Sequence, residues 1–150
     1  MEYLFVENQK FNQWWIWLVL LLAPILSIIP FNENEINYYA FLITSAFPLF
    51  VCVFQLRVKI NEEGLNYQFF PFHLKSHTIK LHEIEKFRAL QYRPIGDYGG
   101  WGIRHGFKGK AYNISGNKGV KIYLKNGKSI LFGSQKHIEF DKALKEIMRQ

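Results

Sequence analysis

The residues best suited to chemistry lie in a glycine-rich, basic segment over residues 97–119. Glycine lets a backbone approach a bound group closely, and basic side chains around such a backbone can hold a phosphate. The candidate anion- or lipid-binding residues in this segment are Arg104, Lys108 and Lys110. Its seven glycines also fit another interpretation, in which they form bulges or bends of a curling sheet. The sequence favours that structural interpretation and leaves anion binding open.

A metal site is a weaker possibility. His73, His77 and His82 are spaced by four and five residues, whereas zinc needs a set of converging His or Cys ligands. The segment that follows Leu56 contains no cysteine that could complete such a set. We therefore predict no metal site.

Catalysis has an equally weak basis. Asp97, Arg104 and His105 could form an acid–base set, but polar side chains in loops are usually just solvated. The chain matches neither the phosphate-loop pattern nor the dinucleotide-binding glycine pattern. We therefore predict no catalytic residue and no cofactor, and we expect that the chain is not an enzyme.

The charges divide the chain into two regions. Residues 1–56 hold one basic residue, Lys10, and four glutamates, whereas residues 57–150 hold 18 Lys and Arg against 8 Asp and Glu. An asymmetry this steep suggests two physical environments rather than one mixed globule. The sequence thus predicts a membrane anchor over 1–56 and a basic domain over 57–150.

Two long apolar runs are the reason for expecting an anchor. The runs 14–30 and 38–56 carry no charge, and about 17–25 apolar residues are enough to cross a bilayer as a helix. Aromatic residues cluster at the ends of both runs, as they do at membrane interfaces. The residues predicted to lie at the interface are Trp14, Trp15, Trp17, Tyr38 and Tyr39. Burial of both runs in the core of a globular protein is the alternative, although neither run shows a polar stripe.

The charges that flank the runs predict an orientation. Residues 31–37 between the runs include two acids and no base, while Lys10 precedes the first run and Arg57 and Lys59 follow the second. Positive residues close to membrane ends stay on the cytoplasmic side. We therefore expect a two-span protein of the cell membrane with both termini cytoplasmic. No ionisable residue lies within either run, which argues against a transporter.

Alternating short segments follow the second run. Asn126-Gly127 separates two of them and is a strong hairpin signal, and Gly64 ends a second turn between alternating residues. At the end of the chain, apolar residues recur at helical spacing, which predicts one amphipathic helix over about 136–148. The fold class is therefore α+β, with six or seven strands and a C-terminal helix behind a two-helix transmembrane hairpin.

A two-helix hairpin followed by short strands and a closing helix resembles the bacterial pleckstrin-homology-like membrane proteins. The residues that carry the resemblance are Asn61–Leu65, Phe69–His73, Ile79–Phe87, Tyr98–Arg104, Gly109–Gly116 and Leu124–Lys128. The resemblance implies a curved, antiparallel β-barrel or sandwich with a helix that plugs one end. It implies no activity, because a fold of this kind hosts many sorts of binding.

These observations lead to one functional expectation and two alternatives. We expect a membrane-anchored, non-catalytic binding or scaffolding module at the cytoplasmic face, in contact with the bilayer and with anionic lipid head groups or a protein partner. An accessory subunit docked to a larger membrane complex through its transmembrane helices is the first alternative, and an enzyme is the second. Nucleic acid is not an expected partner because no recognition helix is evident. A homo-oligomer is left open.

Overall fold

The computed structural model describes residues 3–29, 38–106 and 108–149. They form an α+β chain that divides into two compact units. The helical unit runs from Phe11 to Phe54, and the β unit combines the residues up to Lys10 with those from Gln55 onward. The strand β1, Phe5–Lys10, belongs to the β unit, although the sequence analysis placed residues 1–56 in an anchor.

The helical unit contains two short helices, α1 at Trp14–Ser27 and α2 at Tyr38–Cys52. They contact each other through a hydrogen bond between the hydroxyls of Ser27 and Thr44, 3.4 Å apart. Pro24 lies within α1 and Pro48 within α2, as the sequence requires. The link that was predicted over 31–37 lies outside the described residues.

The prediction of transmembrane helices over 14–30 and 38–56 is wrong. The two helices have 14 and 15 residues, whereas about 20 helical residues are needed to cross a hydrocarbon layer of about 30 Å. Nowhere in the described ranges is a helix both long enough and apolar enough to span a bilayer.

The error has a local cause. A run without charges is longer than the helix within it: α1 ends at Ser27, and α2 ends at Cys52. Gln55 and Leu56, which were counted as the end of the second span, begin a strand. Because the two spans are absent from the described residues, the prediction of a two-span membrane protein is wrong as well. The anchor over 1–56 and the orientation with both termini cytoplasmic depended on these spans.

The β unit contains a first sheet of four antiparallel strands. The strand β1 pairs with β2, Gln55–Asn61, which pairs with β3, Gly64–Phe70, and β3 pairs with β4, His77–Lys80. Side chains alternate along β1 between buried and exposed, as expected for a strand with one face on a core. Lys10 lies opposite Gln55, so the helical segment is inserted in the sequence between two neighbouring strands.

The second sheet has five strands. In chain order they are β5 at Ile84–Gln91, β6 at Gly102–Gly106, β7 at Gly109–Asn113, β8 at Lys118–Leu124 and β9 at Ser129–Gly133. Their spatial order is β5-β8-β9-β7-β6, and β7 pairs with β9 in parallel. The prediction of a purely antiparallel domain therefore misses this pair. A short helix, α3 at Pro94–Tyr98, was also not predicted, whereas the helix α4, His137–Met148, lies where the apolar spacing placed it.

Aromatic rings fill the core of the β unit. The ring of Phe132 on β9 stacks on Tyr112 of β7 with centroids 5.7 Å apart and lies 6.4 Å from Phe140 of α4. Phe140 in turn stacks on Phe5 of β1 at 5.0 Å. Burying a side chain of this size contributes about 1.5–3 kcal/mol. The helix α4 thus joins the first strand of the chain to the second sheet.

A buried carboxylate strengthens the same junction. Glu7 of β1 is 6 % exposed and accepts hydrogen bonds from the hydroxyl of Ser134, at 2.5 Å, and from the backbone N–H of Gln135, at 2.9 Å. Ser134 and Gln135 connect β9 to α4. A buried acceptor needs such partners because an unsatisfied polar group costs free energy.

Candidate functional site

A basic cleft of about 860 Å³ lies beside the β6–β7 hairpin and the turn between β8 and β9. Five side chains of its lining are cationic or can become so: Lys108, Lys110, Lys121, Lys128 and His105. Among the described residues that line the cleft, none is acidic. A concave surface with several ammonium groups and no carboxylate in its lining favours an anion.

Glycines bring these lysines together. Gly109 has a φ of +106°, and a Cβ at this position would lie 2.4 Å from the hydroxyl of Ser129. Only glycine therefore lets the start of β7 approach the start of β9 this closely. At the turn between β8 and β9, Gly127 has a φ of +80°, which is typical of Asn-Gly hairpins. Lys108, Lys110 and Lys128, which lie in or next to these segments, all line the cleft.

Lys108 is partly neutralised. Its ammonium forms an ion pair with Asp97 of α3 at 2.8 Å, and the pKa of that carboxyl is lowered, first by the hydrogen bond from Lys108 and then by the backbone N–H of Arg93. The carbonyl of Lys108 accepts hydrogen bonds from the ammonium of Lys121, at 2.7 Å, and from the hydroxyl of Ser129, at 3.0 Å. These bonds hold the backbone carbonyl of Lys108 against β8 and β9.

Lys121 lies partly buried in the lining of the cleft. Partial burial lowers its pKa, and the charge of Lys108 lowers it further, while Asp97 acts in the opposite direction. Lys110 and Lys128 form no ion pair with any described residue. Their ammonium groups are therefore the ones most available to an incoming anion.

Aromatic rings connect Lys110 to the core. Its ammonium lies 4.8 Å from the ring centroid of Tyr112, which is a cation–π distance. The ring of Tyr67 lies 5.0 Å from that of Tyr112, and Tyr67 also lines the cleft. Burial raises the pKa of Tyr67 to about 12, with the neighbouring Tyr112 as the next cause. The hydroxyl of Tyr67 thus stays neutral near pH 7 and can donate a hydrogen bond.

Arg104 does not join Lys108 and Lys110. It pairs with Ala111, whereas His105 pairs with Lys110, and neighbouring residues of a strand point to opposite faces. The guanidinium folds back instead, and its Nε donates to the carbonyl of Trp101 at 2.9 Å. The structure thus brings together two of the three predicted anion-binding residues.

Three cleft residues, Lys121, Lys128 and His105, were not among the predicted site residues. The sequence indicates the alternation of β8 and the turn at Asn126-Gly127, but it does not indicate that β7 pairs with β9. Without that long-range pairing, nothing in the sequence brings Lys128 close to Lys110. His105 can be recognised in the sequence as a basic residue of the segment, but there it suggests acid–base chemistry rather than anion binding.

The structure gives the acid–base set and the metal set little support. Asp97 is occupied by Lys108, and Arg104 by Trp101. No group of three or more His, Cys, Asp or Glu side chains in the described part of the chain is arranged to hold a metal ion. His73 and His77 do adjoin each other, with ring centroids 4.5 Å apart.

The aromatic residues predicted for a membrane interface lie in the helical unit. They occupy the first turns of its two helices, at Trp14, Trp15, Trp17, Tyr38 and Tyr39. Trp14 and Tyr39 are 73 % and 81 % exposed, and the indole of Trp17 donates to the carbonyl of Phe11 at 3.0 Å. The prediction that these five residues lie at a membrane interface stays a prediction.

Comparison with known proteins finds no match: no family model, no curated protein and no solved structure matches this chain. A function must therefore come from the chemistry of the cleft. The lining of the cleft, with four lysines and no described acidic residue, is the feature on which a proposal can rest.

Proposed function

We propose that the chain is a non-catalytic binding module whose β unit holds a phosphate-bearing ligand in the basic cleft. One observation carries the proposal: four lysines and His105 line a single concave surface that has no acidic residue among its described lining. Hydrogen bonds from ammonium groups to phosphate oxygens are short and about twice as strong as neutral ones. Several lysines that line one cleft could engage one phosphate together.

The rest of the β unit supports a binding role. Two sheets with a C-terminal helix packed into their core fit the proposed resemblance to pleckstrin-homology-like proteins. The excess of positive charge over residues 57–150 would attract an anion from a distance and speed its encounter with the cleft. The ligand could be a lipid head group or a free phosphate compound, since both present the same oxygens.

The test uses the full-length chain in a nonionic detergent. Two probes distinguish the sources of phosphate: inorganic pyrophosphate, and micelles doped with phosphatidylglycerol. Affinity is measured for the unaltered chain and for the triple variant K108Q/K110Q/K128Q. We expect the triple variant to bind at least about tenfold more weakly, since three exposed contacts of about 0.5 kcal/mol amount to one decade.

A matched control removes the same charge elsewhere. Lys75, Lys118 and Lys142 are exposed and do not line the cleft. The variant K75Q/K118Q/K142Q should keep its affinity within about threefold, and both proteins should bind less well as salt rises. Equal losses in the two triple variants would show that net charge alone attracts the anion. Binding of neither probe would refute the proposal, and binding of the doped micelles alone would assign the site to a lipid head group.

A further inference from the structure

A pair of histidines lies next to the basic cleft. His73 is in the connection between β3 and β4, and His77 begins β4; their ring centroids are 4.5 Å apart. Both pack on Tyr67, which is 5.9 Å from His73 and 5.5 Å from His77. A fourth ring, that of Tyr112, lies 5.4 Å from His73. The pair thus packs against the edge of the aromatic core, with His73 half-buried and His77 exposed.

Two of the residues around this pair also face the cleft. Tyr67 contributes to the lining, and so does Lys110, whose ammonium lies over the ring of Tyr112. The ring of Tyr112 therefore lies between His73 and Lys110, which is one of the two cleft lysines without an ion pair among the described residues. A charge on His73 and a charge on Lys110 interact across the ring of Tyr112, because charges are screened only over a Debye length of about 8–10 Å at ordinary ionic strength.

His73 is held in its neutral form. Its Nδ1 accepts a hydrogen bond from the backbone N–H of Phe69 at 3.3 Å, which places the ring proton on Nε2. Protonation would put a second N–H against that donor. The pKa of His73 is lowered, first by burial and then by the charges of His77 and Lys110.

The groups that face His73 come from three strands. Tyr67 lies on β3, His77 on β4, and Lys110 and Tyr112 on β7. The two tyrosines are neutral near pH 7 because burial raises the pKa of each. Burial opposes protonation of His73 most strongly, and the positive charges of His77 and Lys110 add to it. An anion beside Lys110 would offset the contribution of these charges.

We propose that anion binding in the basic cleft is coupled to protonation of His73, so that the module binds its ligand more tightly in acid. This inference rests on the proposed function and names a regulator of the same site. A bound anion favours the imidazolium, and by reciprocity the imidazolium favours the anion.

The sign and the pH window follow from the direction of the shift. In the free protein, His73 takes up its proton only below the ordinary histidine value of 6.5. An anion moves that uptake to higher pH, so affinity increases as pH falls through the interval between the two values. In the free protein the unfolded chain binds more protons in the same region, so the free energy of unfolding falls on acidification.

The test must separate the effect of His73 from that of His105, which is the histidine in the lining of the cleft. All proteins therefore carry the substitution H105Q, and the probe is sulfate, whose charge is constant between pH 5 and 8. In this background we expect sulfate to bind about fivefold more tightly at pH 5.5 than at pH 7.5, the lower end of ordinary couplings between sites. The further substitution H73N, in which an amide oxygen can still accept from Phe69, should abolish most of that difference.

A second variant and a second measurement keep the test decisive if H73N folds poorly. Replacing His77 by Gln removes a neighbouring positive charge, so H77Q should raise the pKa of His73, and the pH at which affinity rises should move up with it. Proton NMR of the His73 ring measures that pKa directly, and added sulfate should raise it. If neither H77Q nor added sulfate changes the pKa of His73, the proposed coupling is wrong.

The two proposals fail in different ways. If K108Q/K110Q/K128Q abolishes sulfate binding but H73N keeps the full pH dependence, the cleft is a binding site without this regulator. If the triple variant binds sulfate as well as the unaltered chain, the proposed function itself is wrong, and any response of His73 to sulfate reports another site.

Discussion

The helical unit and the β unit use apolar residues in opposite ways. In the helical unit, α1 has no buried residue among its fourteen and α2 buries only Pro48. In the β unit, all the largest fully buried side chains of the described chain are found, among them Tyr112, Phe132 and Phe140. The more apolar of the two regions is therefore the one whose apolar side chains are exposed.

The difference teaches that apolar composition and core formation are separate properties. Hydrophobic stabilisation follows the area removed from water, at about 25 cal/mol per Å², and not the number of apolar residues. The β unit gains this term because alternation puts one face of each strand inward. A pair of charge-free helices has no such division between an inner and an outer face, and large exposed apolar surfaces are characteristic of interaction sites.

The largest expected effect comes from emptying a position in the core of the β unit. Phe132 is fully buried and contacts both Tyr112 and Phe140, so F132A should lower the free energy of unfolding by about 3–5 kcal/mol. The matched change F47A in the helical unit removes a side chain that is 55 % exposed, and it should cost less than about 1 kcal/mol. Urea unfolding of the full chain measures both. Similar costs would contradict the contrast between the units.

An intermediate loss of stability is expected from removing the buried carboxyl group of Glu7. The substitution E7A leaves the hydroxyl of Ser134 and the N–H of Gln135 without their acceptor, which should cost about 1–3 kcal/mol. Its control is E62A, since Glu62 is exposed in the turn between β2 and β3 and should contribute within about 0.5 kcal/mol. Thermal unfolding compares the two variants. A neutral E7A would mean that the junction between β1 and α4 depends on ring packing alone.

The smallest effect is expected from removing the helical unit. Because Lys10 and Gln55 lie opposite each other, an Asn-Gly turn can replace residues 11–54 and close β1 onto β2 as a hairpin. If the β unit depends on its own core, the midpoint of its thermal unfolding should move by less than about 5 °C, equivalent to about 1 kcal/mol. Removing α4 instead should abolish cooperative unfolding. Loss of the fold on excision would show that the helices stabilise the sheets.

The parts of the fold that could be predicted from the sequence depend on local interactions. The turn at Asn126-Gly127, the turn that ends at Gly64 and the C-terminal helix follow from neighbouring residues and from spacing. The strand β1 could not be predicted in this way, because its partner follows the helical segment and its short alternation precedes a long apolar run. The length of that run then concealed where each helix ends.

The candidate site was predictable to the same extent. Lys108 and Lys110 stand out because a basic, glycine-rich segment is visible in the sequence, and the cleft includes both. Arg104 was misplaced because the face of a strand depends on its register, which was unknown for β6 and β7. The two interpretations of the glycines, as bends of the sheet and as part of a binding loop, do not exclude each other. Gly109 lets β7 approach β9, and this approach also brings lysines into the lining of the cleft.

The hydrogen bond between Glu7 and Ser134 joins residues that are 127 positions apart. During synthesis it can form only after the ribosome has reached Ser134. At about 5–20 residues per second, a ribosome needs about 6–25 s after Glu7 to reach Ser134. The strand β1 can pair with β2 once Asn61 has been made, whereas its bonds to Ser134 and Gln135 form only after this interval. During that interval Phe5 also lacks the ring of Phe140, on which it stacks in the folded chain.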